Sequence, residues 1–182
     1  MRIKKEKSFA MVVDFQERLM PVIDGQQQVL ENAARFLKGL NLLQVPLILT
    51  EQYPKGIGQT VEIIKNEVPV PALEKITFSC YLEPAIRKAV DVYKAQGRSQ
   101  VILFGVEAHI CVLQTLIDLR ADGFEVFLVS DCISSRRKPD KEAALLRAMS
   151  EGAAVTTSEA MLFELTERAG SDLFKQISKL VK

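Results

Sequence analysis

Three residues far apart in the sequence carry side chains that can do nucleophilic chemistry together: Asp14, Lys75 and Cys111. Asp14 directly follows the apolar run 9–13, and Lys75 ends a short strand-like segment. Cys111 begins an amphipathic pattern a few residues after the apolar run 101–104. Because the carboxyl ends of parallel strands share one edge of a sheet, these three groups are expected to converge.

The chemistry of such a cluster is coherent. A cysteine in the first turn of a helix feels unpaired backbone N–H groups and the helix dipole, so Cys111 is expected to favour the thiolate. The Asp14 carboxylate can take the thiol proton, and the Lys75 ammonium favours both anions. The sulfur would attack a carbonyl carbon, backbone N–H groups would hold the oxyanion, and Asp14 would activate water against the resulting thioester.

Each residue also has a plainer interpretation. Cys111 is equally well interpreted as a buried core cysteine, since free cysteines are often buried. Asp14 fits an ordinary helix cap or loop aspartate, and Lys75 fits a solvated surface lysine.

Alternating apolar segments and amphipathic patterns predict the elements that position these residues. Strands are expected over 9–13, 46–50, 72–75, 101–104, 125–129 and 153–157, and helices over 26–44, 61–66, 83–96, from 111 to about 120, 140–150, 158–165 and 171–182. The segments 51–60 and 133–139 are expected to be loops. Strands that alternate with helices predict one three-layer α/β/α domain over residues 1–182, with a mostly parallel six-stranded, Rossmann-like sheet.

Composition excludes several other classes. The 182 residues include 24 Lys and Arg against 23 Asp and Glu, so the net charge of +1 gives no support for a nucleic-acid partner. No apolar run approaches the roughly 20 residues of a membrane span. Three cysteines without CxxC spacing argue against a disulfide framework and favour a cytoplasmic location.

Several segments in order resemble one known family. They are VVDFQERL at 12–19, LTEQYPKGIGQT at 49–60, EKITFSCY at 74–81, GVEAHICVLQTLIDL at 105–119 and VSDCISSR at 129–136. The chain is similar to the isochorismatase-like cysteine hydrolases over about residues 9–165. The resemblance implies that Asp14, Lys75 and Cys111 form a catalytic triad. It also implies a cis peptide between Val106 and Glu107, which would turn the Glu107 N–H toward the oxyanion beside the Cys111 N–H.

The chain departs from the nicotinamidase branch of that family. Nicotinamidases carry an Asp-x-His and a further His after the second strand, where they bind a metal. This chain reads TEQYPKGIGQT there, and its one histidine is His109. No metal and no cofactor are therefore expected. The sequence of this segment is more similar to the isochorismatase-domain-containing branch of the family. The presence of Cys111 favours hydrolysis of a C–N bond over cleavage of a vinyl ether.

A pocket around the triad is expected to contact a small-molecule substrate. The candidate lining residues are Phe15, Gln16, Tyr53, Phe78, Tyr81 and His109. Core packing is the alternative for each aromatic residue, and capping or packing is the alternative for His109.

The sequence thus predicts a metal-independent cysteine hydrolase that cleaves a small amide or related acyl C–N bond through a thioester. The resemblance also implies a homo-oligomer, as a dimer, a tetramer or a larger ring. One alternative is a catalytically silent binding or scaffold member of the same fold. A ribonuclease is another, as some relatives are so described, and so is a redox role for Cys111 with Cys80 or Cys132 as resolving partner.

Overall fold

A computed structural model describes residues 1–182 and contains one six-stranded sheet in which every strand pairing is parallel. The strands are β1 Ser8–Val13, β2 Leu47–Gln52, β3 Ala72–Lys75, β4 Gln100–Val106, β5 Glu125–Ser134 and β6 Ala154–Thr156. Their order across the sheet is β3-β2-β1-β4-β5-β6. The chain therefore builds outward from β1 to β3 and then crosses back to β4, on the other side of β1.

Eight α-helices cover the two faces of the sheet. They are α1 Gln26–Leu42, α2 Pro54–Ile57, α3 Glu62–Lys65, α4 Pro84–Ala95, α5 Leu113–Ala121, α6 Lys138–Ser150, α7 Ser158–Thr166 and α8 Asp172–Val181. Helices α1, α7 and α8 pack on one another, and α5 packs on α6. A π-helical turn, Ala108–Val112, precedes α5. None of the helices is long and apolar enough to cross a membrane.

The central strands form where the sequence is apolar without interruption. Every residue of β1, β2 and β4 is buried, as expected for parallel strands covered on both faces. In β1, Met11 lies between Ile48 of β2 and Leu103 of β4. The predicted three-layer fold with a parallel six-stranded sheet is confirmed.

Strand β5 is longer than the sequence predicts. It continues past 129 to Ser134, because the pairing with β4 resumes after an irregularity and joins Gly105 to Ile133. The sequence did not predict this continuation, because the polar residue Asp131 interrupts the apolar run. Its carboxylate is satisfied by the backbone N–H and hydroxyl of Ser158, at 2.8 and 2.6 Å. The predicted loop 133–139 is correspondingly shorter, since α6 already begins at Lys138.

Gly105 allows β1 and β4 to lie close together beside the predicted site. Its φ is 137°, and a Cβ at this position would overlap the carbonyl oxygen of Val13, the residue before Asp14. No side chain can therefore be accommodated without separating the two strands at this point.

Gly105→Ala is expected to lower the free energy of unfolding by about 2–4 kcal/mol, because backbone strain and overpacking add. Urea unfolding of the purified variant measures this. Gly97→Ala is the matched control: its φ is 81° but nothing lies near the added Cβ, so its cost should be about 1 kcal/mol. Equal costs for the two variants would contradict the close-approach argument.

Candidate active site

The three candidate residues meet at the point where the order of the strands reverses. Asp14 is the first residue after β1, and Cys111 lies in the π-helical turn after β4, the neighbouring strand. Lys75 is the last residue of β3 and is separated from β1 by β2. Parallel strands are about 4.8 Å apart, so the long lysine side chain spans the end of β2. Sites at such reversal points are typical of open α/β sheets.

Asp14 and Lys75 form a fully buried ion pair. Lys75 Nζ lies 2.7 Å from Asp14 Oδ2, and both side chains are completely excluded from solvent. The Thr50 hydroxyl donates to the other carboxylate oxygen, Oδ1, at 2.7 Å. The contact at Oδ2 is ionic rather than a directional hydrogen bond, so this oxygen can still accept a hydrogen bond.

Acceptors around the ammonium fix the position of Lys75. Its Nζ donates to Gln52 Oε1 at 2.6 Å and to the carbonyl oxygens of Thr77 and Phe78 at 3.3 and 3.2 Å. Burial by itself lowers the pKa of Lys75, but the nearby acidic groups, Asp14 first, outweigh it and the pKa is raised. Lys75 is therefore a permanent cation at neutral pH.

The pKa of the Cys111 thiol is raised, contrary to the thiolate expected from its position before a helix. Burial is the largest cause of this rise, and the negative charge of Asp14 is the next. Lys75 lowers the pKa by less than these raise it. Burial and the charge of Asp14 therefore favour the neutral thiol of Cys111 over its thiolate.

A second cysteine lies next to this cluster. Cys80 Sγ is 3.7 Å from the Thr50 hydroxyl, and the Cys80 backbone N–H donates to Thr115 Oγ1 at 2.8 Å. Thr115 in turn donates to the carbonyl oxygen of Cys111 at 2.6 Å. Burial raises the pKa of Cys80 to about 11. The two threonines therefore connect the buried groups through hydrogen bonds.

The peptide bond between Val106 and Glu107 is cis. The Glu107 side chain is buried and its Oε2 accepts from the backbone N–H and the Nε of Arg136, at 2.9 and 3.0 Å. This ion pair joins the segment after β4 to the segment after β5.

The buried groups open into a cavity of about 520 Å³. It is lined by Asp14, Arg18, Leu19, Val22, Gln52, Gly56, Ile57, Phe78, Glu107, Ile110, Cys111 and Arg136. Asp14 and Cys111 are buried, whereas Arg18, Phe78 and Arg136 are exposed. The reactive groups therefore form the floor and the arginines lie toward solvent. The size suits a small molecule.

Of the six predicted pocket residues, only Phe78 lines this cavity. Phe15 is buried and packs against Phe104, with ring centroids 6.4 Å apart. Gln16 is also buried, and its amide bonds the backbone of Gln52 and the carbonyl of Gly58. Both therefore support the loops around the cavity instead of lining it.

Tyr81, Tyr53 and His109 also point elsewhere. Tyr81 is buried and its hydroxyl donates to Asp122 at 2.5 Å. Tyr53 is half exposed beside the cavity, where its ring covers Gly56. His109 bonds Ser135 Oγ through Nδ1 at 2.9 Å, so its polar edge is directed to the segment after β5. The sequence shows that a residue is aromatic, but it does not show whether the side chain points into the cavity.

The end of β2 and the segment after it do not fit the metal ligands of nicotinamidases. Glu51 Oε1 accepts from the backbone N–H and hydroxyl of Thr60, at 2.7 and 2.6 Å, and Gln52 bonds Lys75. No group of three or more His, Cys, Asp or Glu side chains in the structure could hold a metal ion.

Sequence reasoning missed the polar residues that complete the cavity, namely Gln52, Arg18 and Arg136. Gln52 ends β2, between the strands that carry Asp14 and Lys75, and this position at the carboxyl edge was the available signal. Arg18 and Arg136 lie in loops, where sequence does not indicate which way a long side chain points.

Fold and geometry define a class: a three-layer α/β domain with a buried acid, amine and thiol at the reversal point of a parallel sheet. Comparison with known proteins identifies the family. Residues 9–160 match the model of the isochorismatase domain family. The chain belongs to this family of isochorismatase-like hydrolases.

Curated relatives agree along the whole chain. Isochorismatase domain-containing protein 2A of Mus musculus is 38% identical over 185 residues, which cover 100% of this chain and 85% of that protein. The human isochorismatase domain-containing protein 2 is 40% identical over 181 residues, covering 100% of this chain and 86% of that protein.

Solved structures confirm the fold. The MAR1 ribonuclease of Caenorhabditis elegans superimposes with a TM-score of 0.92 at 34% identity and covers 100% of this chain and 92% of that one. YcaC of Escherichia coli, an octameric hydrolase of unknown specificity, gives a TM-score of 0.91 at 24% identity, covering 99% of this chain and 89% of that one. At this identity, the similarity to YcaC shows only that the two proteins share the fold.

Proposed function

We propose that this chain is a metal-independent cysteine hydrolase that cleaves a small amide or related acyl C–N bond. The observation that supports this is the buried Asp14–Lys75 pair, because Asp14 lines the same cavity as Cys111. A thiol needs a general base beside it to become a nucleophile, and a carboxylate can act as that base.

In the proposed first half-reaction, the sulfur of Cys111 bonds to the substrate carbonyl carbon while Asp14 takes the thiol proton. The carbonyl oxygen becomes an oxyanion, held by the backbone N–H groups of Glu107 and Cys111. The C–N bond then breaks, and Asp14 returns the proton to the leaving nitrogen. An amine and a thioester on Cys111 result.

In the second half-reaction, Asp14 takes a proton from water as the water oxygen attacks the thioester carbon. The C–S bond breaks, and the sulfur of Cys111 recovers the proton from Asp14. The net result is one amide and one water converted to one acid and one amine. Lys75 keeps its charge throughout and holds the carboxylate in position.

We also propose that the enzyme works in a reducing compartment and as a homo-oligomer. The three unpaired cysteines support a reducing compartment such as the cytoplasm. Leu146 and Met149 on α6 are 66% and 49% exposed, which supports burial in a homo-oligomer. We further propose that residues 1–182 form a single domain.

Ribonuclease activity is the second candidate, because a relative of 34% identity is described as a ribonuclease. In the cavity, the one carboxylate besides Asp14 is Glu107, which is paired with Arg136, and His109 is not a lining residue. A pair of free acid–base groups for a phosphodiester is therefore lacking among the lining residues, and amide hydrolysis is the better supported function.

The test is a panel of small primary amides, assayed for released ammonia, with intact-mass detection of an acyl group on the protein. We expect turnover by the wild type, an acyl adduct mapped to Cys111, and neither with Cys111→Ala. Cys132→Ala is the matched control, since Cys132 is buried in β5 away from the cavity lining. RNA cleavage that depends on Cys111, without amide turnover, would contradict the proposal.

A further inference from the structure

The cavity has one positive charge that no acidic side chain neutralises. Four charged side chains line it: Asp14, Arg18, Glu107 and Arg136. Asp14 pairs with Lys75 at 2.7 Å, and Glu107 pairs with Arg136 at 3.0 Å. Arg18 takes part in no ion pair of the structure.

The guanidinium of Arg18 is anchored but has donors to spare. Its Nη1 donates to the carbonyl oxygen of Gly56 at 3.0 Å, and its other N–H groups have no acceptor in the protein. This bond connects the loop after β1 to α2, and both segments border the cavity. Arg136 uses Nε on Glu107 and likewise keeps both of its terminal amino groups free.

The lining of the cavity also has an apolar part. Leu19, Val22, Ile57 and Phe78 contribute to it. A ligand that extends from Cys111 to the arginines therefore contacts apolar side chains as well. A planar guanidinium binds a carboxylate through two parallel hydrogen bonds, which makes it selective for that group.

We propose that the substrate is an amide with a carboxylate at the end remote from the scissile bond, and that Arg18 binds this carboxylate. This rests on the proposed function and names its substrate class. Arg136 supplies further N–H groups on the same side. The single unpaired positive charge matches a monoanion better than a phosphate, which carries about −1.5 to −2 at neutral pH.

The test measures the alkylation of Cys111 by iodoacetamides whose nitrogen carries a short methylene chain. The chain ends in a carboxylate, in its neutral carboxamide or in a phosphonate, and its length varies from one to five methylenes. Peptide mass spectrometry gives the rate at Cys111 for each probe, divided by the rate with glutathione. The carboxylate-to-carboxamide ratio cancels the intrinsic reactivity and the chain length.

For the best chain length we expect the wild-type ratio to favour the carboxylate about fivefold. Arg18→Gln should bring the ratio to about one, and Arg18→Lys should retain part of the preference. The preference should also weaken in high salt. Arg35→Gln, an exposed arginine on α1 outside the cavity lining, removes the same charge and should leave the ratio unchanged.

A wild-type ratio near one, or a ratio that Arg18→Gln does not change, overturns the carboxylate site. A phosphonate that reacts faster than the carboxylate also overturns it. Failure of the proposed function looks different: the Cys111→Ala and wild-type proteins would show equal amide turnover, whatever the ratio. The two ideas are therefore tested separately.

Discussion

Asp14→Asn is expected to slow amide hydrolysis about a thousandfold, because the asparagine amide can neither accept the thiol proton nor return it to the leaving nitrogen. The change preserves shape and keeps an acceptor for Thr50, but it leaves the buried Lys75 ammonium without its counter-charge. The rates are therefore measured under conditions where circular dichroism shows that the variant is folded. Steady-state ammonia release on the best amide of the panel gives kcat and kcat/KM. Both should fall, since proton transfer occurs in the transition state rather than on binding.

The control for this variant is Asp172→Asn, which removes a carboxylate that is 91% exposed on α8. Its turnover should equal that of the wild type. If Asp14→Asn kept more than a tenth of the wild-type kcat, Asp14 would not be the general base, and the triad would have to be abandoned.

Lys75→Met is expected to lower the free energy of unfolding by about 3–5 kcal/mol, because it leaves the buried Asp14 carboxylate without its counter-charge. Methionine has a similar length, so little packing is lost. The acceptors Gln52 Oε1 and the carbonyl oxygens of Thr77 and Phe78 also lose their donor. Urea unfolding followed by circular dichroism measures the change.

Two further variants isolate the charge effect. Lys175→Met breaks an exposed pair with Asp172, 2.9 Å long, and should cost less than about 1 kcal/mol. The double variant Asp14→Asn, Lys75→Met removes both buried charges and should be more stable than Lys75→Met alone. A double variant as unstable as the sum of the single variants would show that the two residues do not interact.

Strands that are buried on both faces explain why the sequence predicts both the sheet and the proximity of Asp14 and Cys111. Strands such as β1 and β4, buried on both faces, read as continuous apolar runs, and polar residues just after them must lie at the carboxyl edge. Strand β5 was predicted too short, because Asp131 interrupts its apolar run while being satisfied by Ser158.

The raised pKa of Cys111 and the lining of the cavity were not accessible from sequence. Position before a helix favours a thiolate, but burial and the nearby charge of Asp14 raise the pKa of the thiol by more than Lys75 lowers it. Loop residues such as Arg18 were missed, and the buried Phe15 was assigned to the pocket, because residue type does not fix side-chain direction.

Alkylation of Cys111 by iodoacetamide across pH shows whether Asp14, Lys75 and Cys111 act as one unit. We expect slow reaction of the wild type at neutral pH, with an apparent pKa above the ordinary value of about 8.5, because burial and Asp14 raise the pKa of the thiol. Asp14→Asn should shift the profile to lower pH and speed the reaction at pH 7, although it abolishes turnover. An apparent pKa below about 8.5 that Asp14→Asn leaves unchanged would show that Asp14 and Cys111 do not act together.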